Sequence, residues 1–362
     1  MVVLVVSKEI VIQSHKGEYK ARFFQGAIDQ LNENLVPNAV YIIDRNICKL
    51  YSKRINKVLS SQRVIVIDAS EENKSLDKMP GYVDELVSLN IKRGDQLIAL
   101  GGGIIQDITC FLATTLMRGL PWIFYPSTLL AQSDSCIGSK SSINSGQFKN
   151  ILGTFLPPQR VIIDVDFLET LGQKEIFSGI GEMIKVHAIN NPESFNLLSE
   201  AYEKILDNPN IMEDFIYNSL SMKKKLIELD EFDEGPRNIM NYGHSFGHAI
   251  ESATNYAIPH GIAVTIGMDI ANFVAVKLGV SKKSHFDRMH NVLDKNCITF
   301  RHFSINVDLL LSALSKDKKN SSTQLKLILP DENGIISIGL YDNNKKLKQS
   351  LEEYFEIYGQ NN

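Results

Sequence analysis

The sequence predicts an α/β N-terminal nucleotide-binding domain over residues 1–175, followed over 176–362 by a mostly α-helical C-terminal metal-binding domain. Three observations predict it. Before residue 175 short β-rich runs alternate with helical stretches, the pattern of a parallel sheet covered on both faces. One of those runs leads directly into Gly101, Gly102 and Gly103. Beyond 175 apolar residues recur at helical spacing, and three of the chain's eight histidines fall at 244, 248 and 260.

In chain order, the apolar opening lacks a basic leader and soon reaches Lys8 and Glu9, so it reads as a first strand and not a signal peptide. Strand runs follow at 39–43, 64–67, 96–100, 122–125 and 161–163. Helices are expected over 194–206, 211–229, 243–254 and 262–278, with a late hairpin pairing 325–329 with 335–338. The most membrane-like run, 261–276, contains Asp269 and Asn272 and falls short of a full span, so it reads as a buried core helix. No membrane contact is expected. At 362 residues and 44% hydrophobic content the chain can fill two cores, and a net charge of -4 gives no case for a nucleic-acid surface. Cys48, Cys110, Cys136 and Cys297 are scattered, without zinc-knuckle or disulfide spacing, and read as free thiols in a cytoplasmic protein.

The glycine triplet lies at the carboxyl end of a strand and before a helix that Asp107 could help start. Backbone amides there can approach a phosphate closely, which suits a pyrophosphate; a plain tight turn is the competing reading. Asp44 ends a strand where a carboxylate can accept from ribose hydroxyls, and Glu71 and Lys74 follow the run at 64–68. The densest polar stretch, 125–158, reads as a loop carrying Asp134, Lys140, Lys149 and Asn150, suited to a phosphorylated, hydroxyl-rich small molecule.

His244 and His248, four apart, share one helix face, and His260 opens the next helix after Pro259. A metal site is the natural reading, with both members of the pair as candidate ligands.

At this point the residues carry a resemblance. Gly101-Gly102-Gly103 with Asp107, Met117-Arg118-Gly119, the run from Pro126 to Ser135, Gly138-Ser139-Lys140, Lys149-Asn150, Gly181-Glu182-Met183-Ile184-Lys185, Arg237-Asn238 and the block Asn241-Tyr242-Gly243-His244-Ser245-Phe246-Gly247-His248-Ala249-Ile250-Glu251 resemble 3-dehydroquinate synthase and its sugar-phosphate cyclase relatives, in the family's order. The resemblance implies that Glu182, His244 and His260 are the metal ligands for zinc, cobalt or iron, leaving His248 on the substrate side. It places Asp44, Glu71, Lys74, Gly101, Gly102, Gly103, Asp107, Thr128, Phe167 and Thr170 around NAD. It gives Lys140, Lys185, Asn241 and His248 catalytic roles, and Arg118, Asp134, Lys149, Asn150, Lys223, Arg237 and Lys318 or Lys319 contacts with substrate, Arg118 reaching the phosphate of a neighbouring subunit in a homodimer. The implied reaction uses NAD as a catalyst: a secondary alcohol is oxidised, the adjacent C–H is acidified, phosphate is eliminated, hydride returns, and the ring closes by an aldol step.

Within that superfamily Lys223 and Arg237 match positions that hold a substrate carboxylate, which favours 3-deoxy-D-arabino-heptulosonate 7-phosphate and hence 3-dehydroquinate. The competing reading of Lys223 is a solvated helix face, since it opens the run Lys223-Lys224-Lys225. Gln106, Ser139, Phe148, Pro236 and Ile262 depart from the family pattern and suggest a divergent member, such as a 2-deoxy-scyllo-inosose synthase-like or amino-dehydroquinate synthase-like cyclase. A metal-dependent polyol dehydrogenase and a silent homologue are the remaining alternatives.

Overall fold

The computed structural model describes residues 8–303, 305–315 and 324–359. The apolar stretch before Lys8 and the expected substrate residue Lys318, with its neighbour Lys319, lie outside the described residues. The chain divides into two compact units, one of Met1–Leu171 with Ile216–Glu234 and one of Gly172–Phe215 with Gly235–Asn362.

In the first unit β1 (Lys8–Ser14) and β2 (Gly17–Phe23) form an antiparallel pair, and the chain then alternates strand and helix. It runs through α1 (Ala27–Glu33), β3 (Ala39–Asp44), α2 (Arg45–Leu50), α3 (Asn56–Ser60), β4 (Val64–Ile67), α4 (Met79–Ser88), β5 (Gln96–Gly101), α5 (Gly103–Thr115) and β6 (Trp122–Pro126). A short hairpin of β7 (Ile143–Ser145) and β8 (Phe148–Leu152) precedes β9 (Arg160–Ile163). The sheet order is β1-β2-β9-β6-β5-β3-β4, parallel throughout except for β1 against β2. Every residue of β3 and β6 is buried, as strands covered on both faces require. Tyr41, Ile43, Ile98 and Leu100 from β3 and β5 sit in the core cluster on one of those faces.

Two local expectations are corrected. Asp107 does not start α5: Gly102 occupies the N-cap, and Asp107 is a full turn inside the helix, where its carboxylate accepts from Lys74 and from the Ser142 amide. The stretch after β6 is not an open loop either. Residues Ala131–Ser135 form a single π-helical turn with Ala131, Gln132 and Ser133 buried, and such turns recur at functional sites.

The second unit contains α6 (Gln173–Asn190), α7 (Pro192–Asp207) and the first turns of α8 (Pro209–Leu229), the rest of which, from Ile216, counts with the first unit. It continues with α9 (His244–Ala253), α10 (His260–Leu278), α11 (Lys283–Cys297), α12 (Val307–Ser315), the hairpin β10 (Gln324–Pro330) with β11 (Ile336–Asp342), and α13 (Lys345–Tyr358). α10 is the centre, with α6, α9, α11 and α13 packed around it. It is long and apolar enough to cross a membrane, yet it is buried from Gly261 to Ala275 within this unit. Its one buried acid, Asp269, is matched by Arg301 Nη2 at 3.0 Å, the Tyr354 hydroxyl at 2.7 Å and His290 Nδ1 at 2.9 Å, as a core carboxylate must be. α6 and α10 meet through glycines: a Cβ on Gly181 would strike the Gly261 carbonyl and one on Gly261 the Ser178 carbonyl. That close approach sets Glu182 beside His260.

Candidate functional site

In the first unit the expected cofactor residues follow the carboxyl ends of the parallel strands, Asp44 at β3, Glu71 and Lys74 after β4, the glycines and Asp107 at and after β5, Thr128 after β6, and Phe167 and Thr170 after β9. Gly101 closes β5, and a Cβ on Gly102 would come within 2.9 Å of Thr128 Cγ2, so only glycine lets Thr128 pack there. The first turn of α5 carries no side-chain cap, which leaves its amides available to an anion. Asp44 is buried at the end of β3 and accepts from the Asn46 amide at 2.9 Å. Lys74 is buried and joins three expected residues, reaching Asp107 Oδ2 at 3.1 Å, Asn150 Oδ1 at 2.9 Å and Glu71 Oε1 at 3.5 Å. Burial pushes the Asp107 carboxyl up to about 6, although the Lys74 ammonium opposes it. Thr170 Oγ1 lies 3.0 Å from the Tyr51 hydroxyl, and Phe167 packs edge-on against the Tyr51 ring. The Phe167 side chain is buried in the sheet's core.

The same unit holds most of the expected anion contacts. Lys223 is 7% exposed and donates to the Asp134 carbonyl at 2.6 Å and its carboxylate at 2.5 Å, whereas Lys224 pairs with Glu228 one turn on and Lys225 is exposed. The solvated-face reading of Lys223 therefore does not hold. Lys140 is exposed, with Nζ 3.1 Å from Asp233 Oδ2. Lys149 and Asn150 are exposed on β8 beside Phe148, Asn150 in a left-handed conformation at φ 53°. Arg118 is also exposed, ending a tight turn in which Met117 and Arg118 both have positive φ, strain of a kind that clusters at ligand clamps. Gln106, which departs from the family glycine, accepts from the Ser135 hydroxyl and donates to the Ser135 carbonyl, both at 2.6 Å, and so ties α5 to the π turn next to Asp134.

In the second unit Glu182 and Lys185 lie one turn apart on α6, both buried, and Lys185 Nζ donates to Glu182 Oε2. The other oxygen, Glu182 Oε1, is 3.4 Å from His260 Nε2 and 3.8 Å from His244 Nε2, and accepts no well-formed hydrogen bond among the described residues. His244 Nδ1 lies 3.3 Å from the Tyr242 carbonyl, which can only accept. That bond leaves the proton of a neutral His244 on Nδ1 and a bare lone pair on Nε2. Two acceptors thus face each other across a gap. Ligand atoms about 2.1 Å from a tetrahedral zinc ion stand roughly 3.4 Å apart, so a divalent cation would satisfy both acceptors at nearly these separations.

The charges respond to this crowding. Burial disfavours ionised Glu182, but the Lys185 ammonium and the neighbouring imidazoles hold its carboxyl well below the usual range. Burial and the Lys185 charge hold His244 well below the ordinary imidazole value. For His260 burial works in the same direction, yet the Glu182 and Glu251 carboxylates overcome it and push the group up to about 10. His248 is exposed on the same face of α9, its ring centroid 5.3 Å from His244 and 5.7 Å from His260. Ring nitrogens of all three histidines lie within 4.8 Å of one another, so His248 belongs to the same cluster.

Asn241 donates to the Asn238 carbonyl at 3.1 Å, in the 3-10 turn Pro236–Asn241. Pro236 opens that turn, a position that suits proline, and Arg237 directly after it is buried. Ile262, at a position acidic in the family pattern, is fully buried in α10. The sequence assigns no role to Asp233, nor to Glu251, which closes the histidine block two turns beyond His244 on α9.

The amino-acid sequence decides the family. Residues 64–178 match the family described as 3-dehydroquinate synthase N-terminal, and residues 179–320 the one described as 3-dehydroquinate synthase C-terminal. The chain belongs to the 3-dehydroquinate synthase family. The 3-dehydroquinate synthase of Dehalococcoides mccartyi is 37% identical over 295 residues, covering 80% of this chain and 82% of that one. That of Streptococcus pyogenes is 32% identical over 329 residues, 90% and 92% of the two chains. Among solved structures, a 2-deoxy-scyllo-inosose synthase complexed with carbaglucose-6-phosphate, NAD+ and Co2+ superposes with a TM-score of 0.83 at 22% identity, over 96% of this chain and all of the other. A 2-epi-5-epi-valiolone synthase from Streptomyces hygroscopicus with NAD+ and Zn2+ bound gives 0.83 at 23% identity, over 94% and 97%. An iron-containing alcohol dehydrogenase shares the fold more distantly, at 0.57 and 14% identity, over 94% and 98%. The architecture is that of the dehydroquinate synthase-like cyclases.

Proposed function

We propose that this protein is an NAD- and metal-dependent, carbocycle-forming phosphate lyase that converts 3-deoxy-D-arabino-heptulosonate 7-phosphate to 3-dehydroquinate and phosphate. The observation that carries the reading is the convergence of two imidazole nitrogens on one buried carboxylate oxygen, His260 Nε2 at 3.4 Å and His244 Nε2 at 3.8 Å from Glu182 Oε1. These three residues would hold a zinc ion, cobalt and iron being chemically compatible with the same donors. The ion would stabilise negative charge developing on substrate oxygens, and NAD would take and return a hydride. Lys185 fixes the rotamer of Glu182 by holding its second oxygen.

On the dinucleotide side, the uncapped start of α5 with Gly101, Gly102 and Gly103 would receive the pyrophosphate, with Asp44, Glu71, Lys74, Asp107, Thr128, Phe167 and Thr170 lining the remainder. Lys140, Lys149, Asn150, Asn241 and His248 would hold the substrate's phosphate and ring, and Lys223, Asp134 and Arg237 its carboxylate end. Lys318 keeps its proposed substrate role from the resemblance alone. Arg118, exposed on a strained turn, suits a reach to the phosphate held by a second copy in a homodimer.

One observation favours a second reading. Lys223 already has a carboxylate partner in Asp134, so its ammonium offers a substrate carboxylate less than an unpaired lysine would, and a cyclase acting on a neutral sugar phosphate is the alternative. The test is phosphate release by purified protein with NAD and zinc on 3-deoxy-D-arabino-heptulosonate 7-phosphate, glucose 6-phosphate and sedoheptulose 7-phosphate in parallel. Release from the first alone, without net NADH, supports the synthase. Release only from a neutral sugar phosphate selects the second reading, and net NADH from glycerol would make the chain a polyol dehydrogenase.

A further inference from the structure

We infer that Glu251 is a positioning residue for His260, fixing which ring nitrogen faces the metal gap and pinning the start of α10 to the helix that carries His244. The inference rests on the metal site proposed above, and three observations support it. Glu251 Oε2 lies 3.3 Å from His260 Nδ1, while His260 Nε2 lies 3.4 Å from Glu182 Oε1. A carboxylate on Nδ1 keeps the proton there and leaves Nε2 as the ligand atom, and it raises the donor strength of the ring. His244 has only a neutral carbonyl at the corresponding place, the Tyr242 oxygen. The two imidazoles are therefore tuned unequally, with the charged partner on His260.

The second observation is positional. His244, His248 and Glu251 fall at i, i+4 and i+7 on α9, hence on one face, so the helix that supplies one ligand also supplies the group that orients the other.

The third concerns the link between the helices. α9 ends in a Schellman turn, in which the Tyr256 amide donates to the Glu251 carbonyl at 2.7 Å and the Asn255 amide to the Ser252 carbonyl at 3.3 Å. Asn255 and Tyr256 both have positive φ, 49° and 61°, the second costly for a bulky residue. His260 follows only four residues later. A strained connection holds its geometry when both ends are tied, and Glu251 supplies one tie by its backbone and a second by its side chain.

The experiment measures zinc affinity by chelator competition, together with the visible absorption spectrum of the cobalt-loaded protein, for wild type, Glu251→Gln and Glu251→Ala. Circular dichroism gives the folded fraction. Glu251→Ala is expected to weaken zinc about 10–100-fold and to shift the cobalt bands, with Glu251→Gln, which retains an acceptor but not the charge, in between. A purely structural residue would lower the folded fraction without changing the affinity or spectrum of what remains folded. Should Glu251→Ala fail to fold, the glutamine variant alone decides. Zinc affinity within twofold of wild type, with an unshifted cobalt spectrum, would overturn the inference and leave the metal site standing. A wild-type protein that takes up no zinc would overturn both.

Discussion

Three lysines of the first unit each have a carboxylate partner, whereas in the second unit one carboxylate is shared among several cationic or imidazole groups. Lys74 finds Asp107 and Glu71, Lys140 finds Asp233, and Lys223 finds Asp134, each cation with a carboxylate of its own unit. Around Glu182 the stoichiometry is reversed: one carboxylate serves Lys185 and two imidazoles, and one of its oxygens still accepts no well-formed hydrogen bond among the described residues. A buried polar atom left in that state destabilises the fold unless something satisfies it. The contrast is between lysines already matched by carboxylates and a carboxylate crowded by two imidazoles, an arrangement whose donor set suits a divalent cation.

The sharpest way to break this comparison is at the shared carboxylate and its imidazoles. His260→Ala or Glu182→Ala should abolish metal retention, seen by elemental analysis, and lower phosphate release at least ~1000-fold, equivalent to ~4 kcal/mol of lost charge stabilisation. Full activity of either variant in metal-free buffer would remove the site. The next largest effect belongs to the buried lysine. Lys223→Met strands Asp134 and should cost about 3 kcal/mol in urea unfolding, and Lys223→Met with Asp134→Leu should recover much of it. If the single variant were as stable as wild type, local pairing in the first unit would be incidental.

Lys140 sharpens the point from the other side. Its side chain is 50% exposed, so Lys140→Met should change stability by under ~1 kcal/mol while phosphate release falls steeply. A large loss of stability with activity intact would reverse its proposed role. The smallest effect is a pH dependence. Burial pushes His187, whose Nδ1 lies 2.8 Å from the Ser194 hydroxyl, down to about 4 from an ordinary value of 6.5. The unfolded chain takes up this proton before the folded one does, so the group's stabilisation is complete above pH 6.5 and is lost as pH falls toward 4. His187→Gln should flatten the unfolding midpoint over that window, and an unchanged slope would assign the acid sensitivity elsewhere.

How legible the molecule was depended on the range of the interactions. The strand runs at 39–43, 64–67, 96–100, 122–125 and 161–163 coincide with β3, β4, β5, β6 and β9, because strands covered on both faces must be continuously apolar. The histidine cluster was visible because two of its members share a helix turn and the third opens the next helix. The partners of Asp233 and Glu251 were not visible, although Glu251 closes the histidine block, since an acid in a charged loop or on a helix face looks solvated until its partner is placed beside it. Lys223 shows the same limit: three consecutive lysines are chemically alike, and only the fold turns the first inward onto Asp134.

By itself, then, the sequence determined the alternation of elements, the buried helix His260–Leu278 and the family to which the chain belongs, all of which follow from local periodicity and contiguous motifs. Tertiary structure decided the rest. It returned Ile216–Glu234 to the first unit, made a π turn of a stretch that reads as loop, and set which oxygen of Glu182 faces the imidazoles. Those outcomes depend on distances between residues far apart in the chain, such as the glycine contact that brings α6 against α10, and no pattern within a short window encodes them.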